Sequence, residues 1–252
     1  MRFTFLYALV ILILSQACSS EEKEPVLRIA AAANMQFAMA ELVDSFTAAT
    51  QIPCQLIISS SGKLTAQIKA GAPFDIFLSA DLKYPQEIER AGLALNAPEV
   101  YAYGRLVLWS AQAEWTPNLD QLQDPKLRHL ALANPQTAPY GRAAQEYLEQ
   151  ANLWEDLQSK FVFGESIAQT NQFIVSQAAE LGFTAMSVVK APSLAQRGRW
   201  IEVPDSTYSP IAQGIVLLQT EKDPQAARDF LTFILSSQGQ TILENFGYRR
   251  RQ

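Results

Sequence analysis

Short apolar runs alternate along this chain with longer stretches whose apolar residues recur at helical spacing. The first run, Val26–Ala33, predicts a strand, and Gln36–Thr50 predicts a helix with Phe37, Leu42, Val43 and Phe46 at that spacing. Strand Pro53–Ser59, a short helix over Leu64–Ala70, strand Phe74–Ser79 and a helix over Pro85–Ala91 follow, the last closed by Gly92. Val100–Ser110 reads as one long strand with Gly104 in its middle, either a hinge or, more ordinarily, a bulge. A second series comes next: strand His129–Ala133, helix Arg142–Gln150, strand Lys160–Phe163, helix Gln169–Ala179 and strand Gly182–Val188. Strand Gln213–Leu218 and helices Pro224–Leu235 and Gln238–Phe246 close the chain. This alternation predicts an α/β fold with mainly parallel strands. Two series joined by one long strand divide it into two lobes, residues 26–106 with 207–252, and residues 107–206. Ligands of open α/β sheets collect beyond the carboxyl ends of the strands, so turns from both lobes are expected in the cleft between them.

Two strand-to-helix turns stand out. LRIAAAANM at Leu27–Met35 carries an apolar strand into a polar turn at Asn34, and SSSGKL at Ser59–Leu64 does the same after Cys54–Ser59. The start of a helix presents orphan N–H groups and the positive end of the dipole, which favours anions. Either turn alone is an ordinary N-cap. As a pair, both rich in neutral donors, they suggest a site for a tetrahedral oxyanion.

The amino end reads as a targeting segment. Arg2, the apolar run Phe3–Leu14 and the small residues Ser15 and Ala17 form a signal peptide over residues 1–17. The run is too short for a bilayer span, which needs about 20 residues. Cys18 and the polar stretch after it, a tether over residues 18–25, resemble the lipoprotein pattern, in which the cysteine is acylated. Leu14 stands one place further from the cysteine than that pattern has it, and Gln16 is bulky. Ordinary cleavage after Ala17, leaving Cys18 unmodified, therefore stays open. The expected location is the periplasm or cell envelope.

Composition narrows the function further. The net charge is −5 with no basic stripe, which argues against nucleic acid as a partner. Besides Cys18 there is only Cys54, in an apolar strand pattern, so no internal disulfide is expected and Cys54 reads as a core residue. His129 is the sole histidine, at a strand edge, without a Cys/His cluster for a metal or a positioned nucleophile for a triad. Asp75 and Asp81 flank a strand and read as turn-capping acids. Lys63 beside Gly62 lacks the rest of a phosphate-loop pattern. The aromatic residues of Tyr101–Trp109, and Trp154, read as packing, and Arg249–Arg251 as a solvated end.

Taken in order, Asn34 in AAAANM, SSSGKL, AGAPFDIFLSAD at Ala70–Asp81, NPQTAPYGRAAQEYL at Asn134–Leu148 and FGY at Phe246–Tyr248 resemble successive motifs of the periplasmic molybdate-binding proteins of ABC transporters. The resemblance covers essentially the whole chain after the tether. It implies a type II periplasmic-binding-protein fold, two lobes each with a mainly parallel sheet flanked by helices, and an oxyanion held in the cleft by neutral donors. It further implies ligand contacts from Asn34 through side chain and backbone, from Ser61 through its hydroxyl and amide, from the Tyr140 N–H and hydroxyl, and from the Ile167 N–H. One position departs: where some relatives place a tyrosine against the anion, GFTAMS has Ala185.

What the resemblance implies is a monomeric substrate-binding component that captures molybdate, and tungstate with it, for an ABC permease of the inner membrane, without catalysis or a cofactor. A binder of sulfate, thiosulfate or another oxyanion on the same fold is the alternative, and an enzyme on a two-lobed scaffold a more distant one. A fully deprotonated dianion has no hydrogen to give, so groups facing it must be donors. Each hydrogen bond to such an acceptor contributes about 1.5–3 kcal/mol.

Overall fold

The computed structural model describes residues 26–220 and 224–251. The signal peptide, Cys18 and the tether lie outside them. The strands are β1 Leu27–Ala32, β2 Cys54–Ser59, β3 Ile76–Ser79, β4 Glu99–Gly104, β5 Leu106–Ser110, β6 Leu130–Ala133, β7 Phe161–Gly164, β8 Leu181–Ala185, β9 Arg199–Glu202 and β10 Ile211–Leu217. The helices are α1 Gln36–Thr50, α2 Ser61–Lys69, α3 Lys83–Arg90, α4 Pro139–Gln150, α5 Trp154–Leu157, α6 Ile167–Val175, α7 Met186–Val189, α8 Gln225–Leu235 and α9 Ser237–Asn245.

These strands form two five-stranded sheets, in the orders β2-β1-β3-β10-β4 and β7-β6-β8-β5-β9. In the first, β1, β2 and β3 run parallel and β10 runs against both β3 and β4. In the second, β6, β7 and β8 run parallel and β5 runs against β8 and β9. The expected α/β architecture of mainly parallel sheets is present, each sheet with one reversed strand. The apolar runs are buried from end to end in β3, β5, β6 and β8, as strands covered on both faces require. Beneath the first sheet, Phe46 of α1 packs edge-on against Phe230 of α8 with ring centres 5.1 Å apart.

The stretch Val100–Ser110 is not one strand. It breaks between Gly104 and Leu106, and its halves belong to different sheets. The register irregularity opposite β10 falls at Gln213/Gly214, so the bulge expected at Gly104 is not there. A Cβ at Gly104 would overlap the Tyr140 hydroxyl and lie 2.6 Å from Gln213 Nε2. Glycine stands here because a side chain from the other lobe passes close to the backbone. The chain crosses between the sheets a second time after β9. Arg249 pairs with Glu202 and Asp205 at that crossing, and Arg250 and Arg251 pair with Glu244 and Glu99. The arginine run is therefore an anchored segment rather than a merely solvated end.

Smaller differences concern element ends. The strand expected over Gly182–Val188 stops at Ala185 and turns into the short helix α7. The helix expected from Arg142 begins at Pro139, and that expected from Gln169 begins at Ile167. Both shifts matter, because they move helix starts into the cleft.

Candidate functional site

Between the sheets lies a cavity lined by Ala32, Ala33, Asn34, Ser60, Ser61, Ala80, Ala138, Pro139, Tyr140 and Ile167. The cavity is small, about 10 Å3, far below the several hundred Å3 of sites for organic ligands. Asn34, Ser61, Tyr140 and Ile167, far apart in sequence, all border it and are at most 4% exposed.

Every wall segment from a helix reaches the cavity at the helix's amino end. After β1 the chain makes a tight turn over Ala33–Met35 and enters α1. After β2, Ser60 caps α2, its hydroxyl accepting from the Lys63 N–H at 3.4 Å. Pro139 takes the first position of α4 and has no N–H, so Tyr140 carries the first backbone donor of that helix. Ser166 caps α6, its hydroxyl accepting from the Gln169 N–H at 3.4 Å, and Ile167 is the first helical residue. Positive dipole ends from both lobes thus converge on one small volume, each worth about 0.3–1 kcal/mol to an anion and more where water is excluded. Gly141 permits the approach of α4, since a Cβ there would run into the Ala133 carbonyl at the end of β6.

The serine hydroxyls are oriented as donors. Ser61 Oγ accepts from the Ala80 N–H at 3.0 Å, which leaves its own hydrogen to give. Ser60 is in the same position, its oxygen engaged by Lys63 N–H. Helix α2 begins at Ser61, not near Leu64 as expected, because Ser60 is the serine that caps it. In the sequence, with serine at positions 59, 60 and 61, capping chemistry alone does not choose among them.

Asn34 differs from expectation. It is not an N-cap: it sits inside the tight turn, and its side chain caps no helix. Its Nδ2 donates to Gln213 Oε1 at 2.9 Å and to the Tyr248 hydroxyl at 2.8 Å. Its carbonyl accepts from Tyr248 at 3.0 Å and from the Ser187 hydroxyl, in the other lobe, at 2.7 Å. Both amide hydrogens are thus directed into the protein. Gln213 also accepts from the Tyr101 hydroxyl at 3.2 Å, and its Nε2 faces the Tyr140 oxygen and the Ala80 carbonyl, each at 3.5 Å. Tyr101, Gln213 and Tyr248 carried no local signal of this network.

Among the described residues, no carboxylate, lysine, arginine or histidine lines the cavity. Burial holds the phenols of Tyr101, Tyr140 and Tyr248 above their ordinary pKa, so they remain neutral. Among the described residues there is no cluster of three or more His, Cys, Asp or Glu able to hold a metal ion. Ala185 is buried at the start of α7 and is not among the cavity residues.

Charges gather at the rim instead. Lys63 of α2 pairs with Glu165 before α6, and Asp81 after β3 pairs with Arg142 of α4, so both pairs join the two lobes. Gly62 N–H donates to the Thr137 carbonyl at 3.0 Å, and the Tyr84 hydroxyl to the Gln136 carbonyl at 3.1 Å, also across the cleft. Burial raises the Asp81 pKa, against the pull of Arg142 and of hydrogen bonds from Tyr84 N–H and Ser79. The turn-capping expected of Asp81 is present in the Tyr84 bond at 3.3 Å, with the inter-lobe pair added to it. Asp75 accepts from the Arg28 N–H at 2.7 Å and stays structural.

Residues 27–249 match the family of bacterial extracellular solute-binding proteins. A molybdate-binding protein (ModA) of Azotobacter vinelandii is 35% identical over 92% of both chains. The protein of that name from Rhodobacter capsulatus is 36% identical over 87% of this chain and 86% of its own. The solved structure of the Azotobacter vinelandii periplasmic molybdate-binding protein superimposes with a TM-score of 0.86 at 32% identity, covering 90% of this chain and 100% of that one. With its two lobes closed over a cavity of helix starts, this chain belongs to the bacterial extracellular solute-binding proteins, alongside the periplasmic molybdate-binding proteins it resembles.

Proposed function

We propose that this chain captures molybdate in the cavity between its lobes and delivers it to an ABC permease. The observation that carries this reading is a charge-free cavity into which helix starts from both lobes, and the Ser60 and Ser61 hydroxyls of the first lobe, point neutral donors. The names of its relatives agree with it. Asn34, Ser61, Tyr140 and Ile167 are the proposed contacts, with Ser60 added. Asn34 contributes its backbone, its amide hydrogens being held by Gln213 and Tyr248.

Neutral donors suit a dianion without a proton. A protonated phosphate needs an acceptor for its hydrogen, and the cavity side chains include no carboxylate to supply one. Tungstate, of like charge and shape, binds the same site, and sulfate, being smaller, reaches fewer donors at once. The serines have no histidine or carboxylate in the cavity wall to act as base, which favours binding over turnover. Export, acylation of Cys18 and a monomeric state complete the reading.

Melting of the domain in molybdate, tungstate, sulfate and phosphate tests it. A ligand at about 100 times its dissociation constant adds about 2.7 kcal/mol, a shift of roughly 5–10 °C for a chain of this size. That shift is expected from molybdate and tungstate. Equal shifts from sulfate would remove the specificity, and no shift from any of them would remove the function.

A further inference from the structure

We infer that Gln213 and Gly104, neither of which lines the cavity, set its affinity for the anion: Gln213 positions wall residues of both lobes, and Gly104 leaves the room for it to do so. This rests on the anion-binding reading above.

Gln213 lies on β10 and is fully buried. Its oxygen accepts from Asn34 Nδ2 at 2.9 Å and from the Tyr101 hydroxyl at 3.2 Å. Its nitrogen faces the Ala80 carbonyl and the Tyr140 hydroxyl oxygen, each at 3.5 Å. An amide has two acceptor positions and two hydrogens, and all of them are spoken for. Three of the four partners, Asn34, Ala80 and Tyr140, belong to the cavity wall, and Tyr140 comes from the opposite lobe. Because Gln213 donates to the Tyr140 oxygen, the phenol keeps its own hydrogen to give to another acceptor. Gly104 faces the same two groups, and a Cβ there would overlap the Tyr140 hydroxyl. Its backbone is outside the left-handed region, so alanine is allowed by conformation and excluded by those neighbours alone.

Gln213→Glu tests the assignment. The carboxylate keeps the shape and the two acceptor contacts. It cannot donate to Tyr140 or Ala80, it turns the phenol hydrogen toward itself, and it places negative charge behind an anion site. Protonation restores a donor. The titratable groups facing position 213 are Tyr101, Tyr140 and Tyr248, which burial keeps neutral. Of the charged groups near it, Asp81 pairs with Arg142, and Arg105 and Arg249 pair with Glu202.

Molybdate affinity is measured by calorimetry for the unaltered protein, Gln213→Glu and Gly104→Ala, from about pH 8 down to about pH 5, a range that spans the shifts open to a buried carboxyl. Gln213→Glu is expected to bind roughly tenfold or more weakly at the upper end and to recover toward the lower end, while the parent stays flat. Gly104→Ala is expected to bind roughly tenfold more weakly at every pH. A parent that binds and variants that match it within about twofold across the range would overturn the assignment while leaving the anion-binding reading intact. So would variants that melt earlier but bind normally per folded molecule. A parent that binds neither molybdate nor tungstate would remove the reading and this assignment together.

Discussion

The cavity and its rim solve different electrostatic problems a few residues apart. The rim carries Lys63–Glu165 and Asp81–Arg142, full charges paired across the cleft, whereas the wall carries only amides, hydroxyls and a phenol. Lys63 and Ser61 share α2, and Arg142 and Tyr140 share α4, so each helix start that faces the cavity sends the residue two places further on to the rim. A cation inside would attract any anion; fixed neutral donors select by geometry and protonation state. Charges outside hold the lobes together where specificity is not at stake, the exposed Lys63–Glu165 pair screened by water and Asp81–Arg142 largely withdrawn from it.

The sharpest way to break this contrast is to put a charge inside. Asn34→Asp replaces the nitrogen that donates to Gln213 and Tyr248 with an oxygen, and sets a carboxylate against the dianion. Calorimetry should show molybdate affinity reduced by well over tenfold, since the carboxylate repels the dianion in a partly dry cleft and can no longer donate to Gln213 and Tyr248. Because Asn34 is buried and holds no exposed cap, the melting temperature should fall as well. An unchanged affinity would take the first turn out of the site.

Removing a neutral donor should cost less. Ser61→Ala deletes a hydroxyl that accepts from Ala80 N–H and has its hydrogen left to give. Roughly tenfold weaker binding is expected, with a small loss of stability from the unpaired amide. Full retention of affinity would assign the donor role on α2 to Ser60.

At the rim the two pairs should separate. Arg142→Ala strands Asp81, whose carboxyl is already desolvated, and opens the cleft more readily. A faster molybdate off-rate in stopped flow is expected, with affinity reduced by less than about tenfold. Lys63→Ala removes an exposed pair and should change affinity by less than about twofold. A larger effect from Lys63 than from Ser61 would invert the contrast between rim and wall.

Much of the fold was legible because it depends on local pattern. The buried strands declared themselves as apolar runs, whereas the helices capped by Ser60 and Ser166 and opened by Pro139 begin two or three residues before the starts expected at Leu64, Gln169 and Arg142. Asn34, Ser61, Tyr140 and Ile167, which the family resemblance singles out, all border the cavity, each at a strand-to-helix turn. What sequence hid is what the third dimension decides. Asn34 looked like a cap because its neighbours looked like a helix start. Its partners, Gln213 and Tyr248, lie 179 and 214 residues away. The division of Val100–Ser110 between two sheets was equally hidden, since both halves are apolar and only the glycine between them, tight against Tyr140, marks the crossing. Arg142 gave no sign of Asp81, which belongs to the other lobe.

The expected effect of pH is also small. No acid, histidine or lysine lines the cavity, and burial holds Tyr140 above its ordinary value in the neutral, hydrogen-donating form. Molybdate affinity of the unaltered protein should vary by less than about threefold between about pH 6 and about pH 9, where an unperturbed phenol is still protonated. A steep decline within that window would place a titrating group in the wall.

The most direct measurement is calorimetric titration of the unaltered domain with molybdate and with phosphate at neutral pH, where phosphate carries a proton and molybdate does not. Neutral donors without a carboxylate to take up a ligand proton predict saturable binding of one molybdate per chain and much weaker binding of phosphate at the same concentration. Phosphate binding as tight as molybdate binding, or no molybdate binding at all, would contradict a cavity built to hold a proton-free oxyanion.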